Sequence, residues 1–193
     1  MFSMRTGVVA RQARSWLLLA VVLAMTGCAT LSEGQCVSGD WYEIGQRDGL
    51  RGQERSRLFN HSEACAQYGT QPDVRAYDAG RRAGLTRYCT PQQGFTEGRE
   101  GRSYRGVCSL PAERDFLAAF EDGRNIHLAE ERVERIERDL RRTEKQLDDE
   151  KLTTKERKRL HDELHSLRND HRQARRDLDR VMYRHGGRNP YYR

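Results

Sequence analysis

Residue types that do chemistry are sparse in this chain of 193 residues, and few of them are grouped. His161-Asp162-Glu163-Leu164-His165 sets two imidazoles at i and i+4, on one face of a helix, as two zinc ligands can sit. A hydrolytic zinc helix needs Glu directly after the first His, where this chain has Asp162, and no third ligand is evident. His161 and His165 are therefore weak metal candidates, and a solvated helix surface is expected there. His61 and Cys65 form a thiol–imidazole pair at the same spacing, which a disulfide at Cys65 would silence. Asp40, Asp48 and Asp78 stand near Trp41, Tyr42 and Tyr77, a composition that suits a sugar-binding or acid–base cleft. There is no Gly-x-Ser-x-Gly, no Walker loop and no dinucleotide fingerprint. No catalytic residue and no cofactor is assigned, and a non-enzymatic role is expected.

The most informative cysteine is Cys28. Arg5, Arg11 and Arg14 precede an apolar run, Trp16 to Met25, and then Thr26-Gly27-Cys28. Ten apolar residues make about 15 Å of helix, half of a ~30 Å hydrocarbon core, which is the size of a signal-peptide core. Leu23-Ala24-Met25-Thr26-Gly27-Cys28 resembles the lipobox of bacterial lipoproteins, with Met25 where Leu is usual. The resemblance implies removal of residues 1–27, acylation of Cys28, and a membrane partner through the lipid. Ala29, rather than Asp, then favours the outer membrane, on its periplasmic side. Four cysteines remain, an even number in an exported chain, and two disulfides are expected. Three pairings are possible. Cys36–Cys65 with Cys89–Cys108 is favoured, because each would staple the ends of a short helical hairpin. Zinc is the alternative, but no Cys-x-x-Cys is present.

An aromatic–glycine frame recurs around these cysteines. Tyr42-x-x-Gly45-x-x-x-Gly49 is repeated as Tyr77-x-x-Gly80-x-x-x-Gly84. Phe95-x-x-Gly98 repeats its first part, with Gly101 three rather than four residues on, and Phe120-x-x-Gly123 repeats it again. Residues three and four apart share a helical face. Glycine inside a helix costs about 1 kcal/mol against alanine, so two per short helix imply close backbone packing. A stripe of Trp41, Tyr42, Gly45, Gly49, Tyr77, Gly80, Gly84, Phe95 and Gly98 is expected to line such seams or a ligand groove. Turns between brief strands are the competing reading of the Asp48-Gly49 step.

Cys36, Gly39-Asp40-Trp41-Tyr42, His61-Ser62-Glu63-Ala64-Cys65, Tyr77…Gly80…Gly84-Leu85, Tyr88-Cys89-Thr90-Pro91, Gly94-Phe95 and Tyr104-Arg105-Gly106-Val107-Cys108 follow one another in this order. Over about residues 36–125 the chain resembles domain-of-unknown-function family 2799. The resemblance implies a bacterial envelope protein, often a lipoprotein, and carries over no catalytic residue.

The second half has a different composition. Ile126, Val133, Leu140 and Leu147 fall seven apart, with Ala129 and Ile136 between them. Leu160, Leu164, Leu167, His171, Ala174, Leu178 and Val181 step by four and three. Both are coiled-coil seams, and their registers do not join. A turn at Lys151-Leu152-Thr153, with Thr153 and Glu156 as a capping box, lets two antiparallel helices zip together. Charge agrees: residues 121–151 hold 11 acids and 8 bases, and residues 155–184 hold 10 bases and 6 acids. His171 on the seam is expected to weaken the hairpin when protonated. Opposite charges interleave along the whole chain, so no nucleic-acid partner is expected.

The expected fold is all-α, a small disulfide-stapled helical module followed by a charged antiparallel hairpin. The expected divisions are a leader at 1–27, an anchor and tether at 28–35, the module at 36–111, the hairpin at 112–183 and a disordered tail at 184–193. The expected role is structural or interactive, with an envelope protein or a second copy meeting residues 126–182. The alternatives are a binding module or hydrolase for an envelope polymer such as peptidoglycan, using the aromatic-rich first half, and a periplasmic metal-binding factor.

Overall fold

The computed structural model describes residues 30–186, all of whose regular structure is helical. The leader, Cys28 and residues 187–193 lie outside the described residues. Seven helices follow in order: α1 Glu33–Ser38, α2 Trp41–Leu50, α3 Arg57–Ala66, α4 Val74–Tyr88, α5 Pro91–Arg99, α6 Ala112–Leu147 and α7 Thr154–Val181. Local chemistry sets most of their starts. Ser32 and Gln35 form a capping box for α1, and Asp40, Asp73 and Thr90 accept backbone N–H bonds at the heads of α2, α4 and α5. The expected box of Thr153 and Glu156 opens α7.

The helices pack as three pairs, α2 with α4, α5 with α6, and α6 with α7. Glycine governs the first two. In the α2/α4 pair a Cβ built at Gly45, Gly49, Gly80 or Gly84 would stand well inside 3.0 Å of a carbonyl oxygen opposite, that of Tyr77, Arg81, Tyr42 or Gln46 respectively. In the α5/α6 pair Gly94, Gly98 and Gly123 meet the carbonyls of Phe116, Phe120 and Phe95 in the same way. Backbones brought this close make Cα–H···O contacts that side chains would prevent.

Matching the facing carbonyls shows that the two pairs are alike at three of four close contacts: Gly94 and Gly98 take the places of Gly45 and Gly49, and Gly123 takes that of Gly84. The fourth place is filled by half-buried Ala119. This corrects the frame read from the sequence by one helical turn. The partner of Gly98 is Gly94, whereas Gly101 is a turn residue at φ 67° against His127.

The disulfides are Cys36–Cys65 and Cys89–Cys108. Their placement differs from two stapled hairpins. The first ties α1 to α3 across α2, and the second ties the end of α4 to the loop before α6, enclosing α5. One core gathers Leu31, Trp41, Ile44, Leu58 and Tyr77 around the first bridge. A second gathers Tyr88, Cys108, Phe116 and Phe120.

Two expected boundaries move. Residues 30–35 are not a tether, because Leu31 is buried in the first core, Thr30 is hydrogen-bonded to α3, and Ser32 caps α1. The division at 111/112 separates α5 from its own glycine partner. The N-terminal third of α6 belongs to the module, and the same helix continues without a break into the arm.

In the arm α6 and α7 run antiparallel, as Arg132–Asp177, His171–Glu137 and Arg168–Glu144 record. Ile126, Val133, Ala174 and Leu178 are buried between them. His171, half-buried on the seam, has Nε2 3.0 Å from Glu137 Oε1 on α6, so the seam histidine has a carboxylate partner across the arm. Residues 184–186 are not a loose tail: Met182–Gly186 form a π-helical turn, and His185 Nδ1 is 2.6 Å from Asp122 Oδ1 on α6.

Candidate functional site

The most concentrated polar chemistry lies where α2, α3 and α4 meet. Asp48 occupies the buried face of α2 that also carries Trp41, Ile44 and Gly45. A carboxylate so placed needs compensating partners. It has two on Oδ2: the Tyr77 hydroxyl donates from α4 at 2.8 Å, and His61 Nε2 lies 2.8 Å away on α3. His61 Nδ1 is in turn 2.8 Å from Thr30 Oγ1, whose hydroxyl reaches the Asn60 carbonyl at 3.2 Å. His61 is 2% exposed and Tyr77 wholly buried.

Asp48 accepts only, so Nε2 carries a hydrogen. Burial pushes the Asp48 carboxyl up. The hydrogen bonds from His61 and Tyr77, with the charges of His61 and Arg57, outweigh this and hold it below its ordinary 3.8. Burial, then the Asp48 contact, pushes the Tyr77 phenol well above its usual range.

The order carboxylate, imidazole, hydroxyl is that of an oriented base beside a nucleophile. The surroundings do not suit that use. Thr30 is followed at once by buried Leu31, and its oxygen already serves His61 and Asn60. The neighbouring cleft of about 680 Å³ is lined by Arg55, Leu58, Phe59, Ser62, Thr70 and Val74, among others, and not by Thr30, His61 or Asp48. The cluster is a buried polar tie that fastens the N-terminal end of the described chain to three helices.

Because the Asp48 carboxyl is depressed in the folded state, its stabilising contribution is complete above about 3.8 and is lost as pH falls through its lower folded value. Asp48→Asn is expected to lose about 1–3 kcal/mol at pH 7, by leaving buried donors poorly matched. That deficit should narrow between pH 4 and pH 2, as the native carboxylate is itself protonated. Thermal unfolding midpoints across this range check it, and an equal deficit at every pH would remove the carboxylate from the account.

Other sequence candidates are placed as follows. Gly45, Gly49, Gly80, Gly84 and Gly98 lie in the helix seams, with Trp41, Tyr77 and Phe95 buried beside them. Tyr42 departs from the stripe: its carbonyl faces Gly80, but the residue is 46% exposed, whereas Trp41 and Ile44 on the same helix are buried. The supposed acid–base cleft does not assemble. Asp40 caps α2, Asp78 binds the Arg55 guanidinium at 2.8 and 2.9 Å, and Asp48 is buried. Trp41 and Tyr77 are too buried to stack on a sugar.

His61 does not pair with a Cys65 thiol, since Cys65 is bridged to Cys36. His161 and His165 are exposed on α7, and among the described residues no group of three or more His, Cys, Asp or Glu is placed to hold a metal ion. The Asp48–His61–Tyr77–Thr30 cluster was missed in the sequence. Its signal was present in Asp48, a charged residue at the i+3, i+4 and i+7 positions of an otherwise apolar face.

No described helix is long and apolar enough to cross a membrane. No curated protein and no solved structure matched the chain. One family model did, over the two glycine-packed pairs and the Cys89–Cys108 staple. Residues 40–125 match the model of the family described as Protein of unknown function (DUF2799).

Proposed function

We propose that this chain is a lipid-anchored envelope protein with a non-enzymatic interaction role. Cys28 carries the lipid, the stapled module sits at the periplasmic face of the outer membrane, and the α6/α7 hairpin is a coiled-coil arm that meets an envelope protein or a second copy. One observation carries this reading: α6 is a single helix of 36 residues that supplies half of a glycine-packed pair and half of the arm. Without a flexible joint, the arm holds a set direction from the module, which suits presentation of a surface.

The Thr30 and Leu31 contacts support the membrane side of the proposal. Thr30 is two residues from Cys28, a span of at most about 7 Å, so an acyl anchor there brings the module against the bilayer.

Two measurements test this. Radiolabelled palmitate is expected in the native protein and absent from Cys28→Ser. A photo-crosslinker at Leu128, 49% exposed on the arm, is expected to capture a defined envelope protein or a second copy in intact cells. A native chain that begins at Met1 without lipid would overturn the anchor. Turnover of cell-wall fragments by the purified full chain would overturn the non-enzymatic role.

A further inference from the structure

The four lysines of this chain, Lys145, Lys151, Lys155 and Lys158, all fall within 14 residues at the α6–α7 turn, and the other 31 basic side chains are arginine. All four are exposed. Along the rest of the hairpin several arginines are met by acids, as in Arg132–Asp177, Arg138–Glu134 and Arg168–Glu144. None of the four amines has a carboxylate within 4.0 Å among the described residues. Residues 141–159 hold eight bases and five acids, a surplus that the arm leaves unpaired at its far end.

Lys145 sits in the last turn of α6, where a cation is favoured, but stability does not account for the lysines that follow it. A helix N-terminus favours acids and disfavours cations. The first two turns of α7 instead hold Lys155, Arg157, Lys158 and Arg159 against Glu156 alone. Arg157 has a structural task, donating to the carbonyls of Leu147 and Asp149 at the end of α6. Lys155 and Lys158 have none. Beside them a groove of about 540 Å³ runs between the helices, with Arg142, Lys145 and Arg159 around Leu152 and Leu160, and with Asp149 and Glu156 also on its wall.

The partner's chemistry follows from what the tip has and lacks. The exposed large apolar side chains, such as Val37, Phe59, Leu110 and Tyr183, all lie outside residues 141–159. Membrane-binding surfaces add apolar insertion to their cations, so the tip fits a chain in water better than a bilayer. Ammonium groups are separate, strongly hydrated point charges, suited to many single anions more than to one forked phosphate site. The 25 residues from Asp122, where His185 closes the base, to Leu147 place the tip about 38 Å from the module.

We propose that the α6–α7 turn docks a polymer that carries repeated carboxylates, held by Lys145, Lys151, Lys155 and Lys158. This narrows the reading of the arm as the docking element and rests on it, although it needs neither the lipid nor the crosslinked protein. The test uses the purified full chain and poly-L-glutamate as probe, with polyphosphate and phosphatidylglycerol vesicles in parallel. Binding to polyglutamate is expected at low salt and should weaken steeply as salt rises.

The quadruple Lys→Gln variant should bind about a hundredfold more weakly. It should fold about as well, since the loss of a favourable cation at the end of α6 is offset by the removal of Lys155 and Lys158 from the N-terminus of α7. The quadruple Lys→Arg variant should keep most of the affinity. Equal binding by the Lys→Gln and native chains, loss in the Lys→Arg variant, or binding to vesicles or polyphosphate without polyglutamate would each overturn the proposal. Failure here with an intact Leu128 crosslink would leave the arm's interaction role standing.

Discussion

Gly80→Ala is expected to destabilise the protein by about 3 kcal/mol or more, although alanine is the better helix former by about 1 kcal/mol. The new methyl would meet the Tyr42 carbonyl and the Gln46 nitrogen across the seam, and both are backbone atoms within α2. Neither can turn aside as a side chain would. The helices must separate, and Gly45, Gly49 and Gly84 lose their contacts with them. A lowering of the unfolding midpoint of roughly 10 °C corresponds to that loss. Gly34→Ala is the control. Gly34 is an exposed helical glycine in α1 with nothing within 4 Å of a built Cβ, so a gain of up to about 1 kcal/mol is expected. Calorimetry of the two variants checks the pair. A Gly80→Ala midpoint within a degree of the native one would remove backbone contact as the basis of the seam.

The second large effect belongs to the Cys36–Cys65 bridge, which closes a separation of 29 residues. Restricting the unfolded chain over that span is worth about 3–4 kcal/mol. Both cysteines are wholly buried in the first core, so the Cys36→Ala, Cys65→Ala double variant also loses two packed sulfur atoms. It is expected to unfold at a much lower urea concentration and to free α1, and with it the Thr30 contact to His61. The Cys89–Cys108 bridge closes a separation of 19 and is expected to contribute somewhat less, about 3 kcal/mol. An unchanged urea midpoint on full reduction would show that neither staple supports the module.

The candidate site shows how unevenly such information is distributed along the chain. Asp48 was readable as a charge on an apolar helical face, and that alone required a partner. Which partner was not readable, because His61 is 13 residues away, Tyr77 is 29 away, and Thr30 is 31 from His61. Nearer neighbours offered a more obvious pair in His61 and Cys65, at the spacing of one helical turn. The disulfide removed that option by occupying the sulfur. The lysine cluster was fully present in the sequence, yet only the folded hairpin gathers it at one end of an arm.

Neighbours within a turn or two fix what was legible along the chain: helices, the capping box of Thr153 and Glu156, the need for close packing at paired glycines, and the hairpin from two seams that do not join. Tertiary structure alone decided the register of the glycine pairs, with Gly94 and not Gly101 as the mate of Gly98. It also decided that Tyr42 points outward, that residues 30–35 belong to the module, and that α6 serves module and arm together. The reason is physical. A periodic pattern specifies which face of a helix is buried, but its axial register is set by the carbonyls of the opposing backbone, which are contributed by residues remote in the chain.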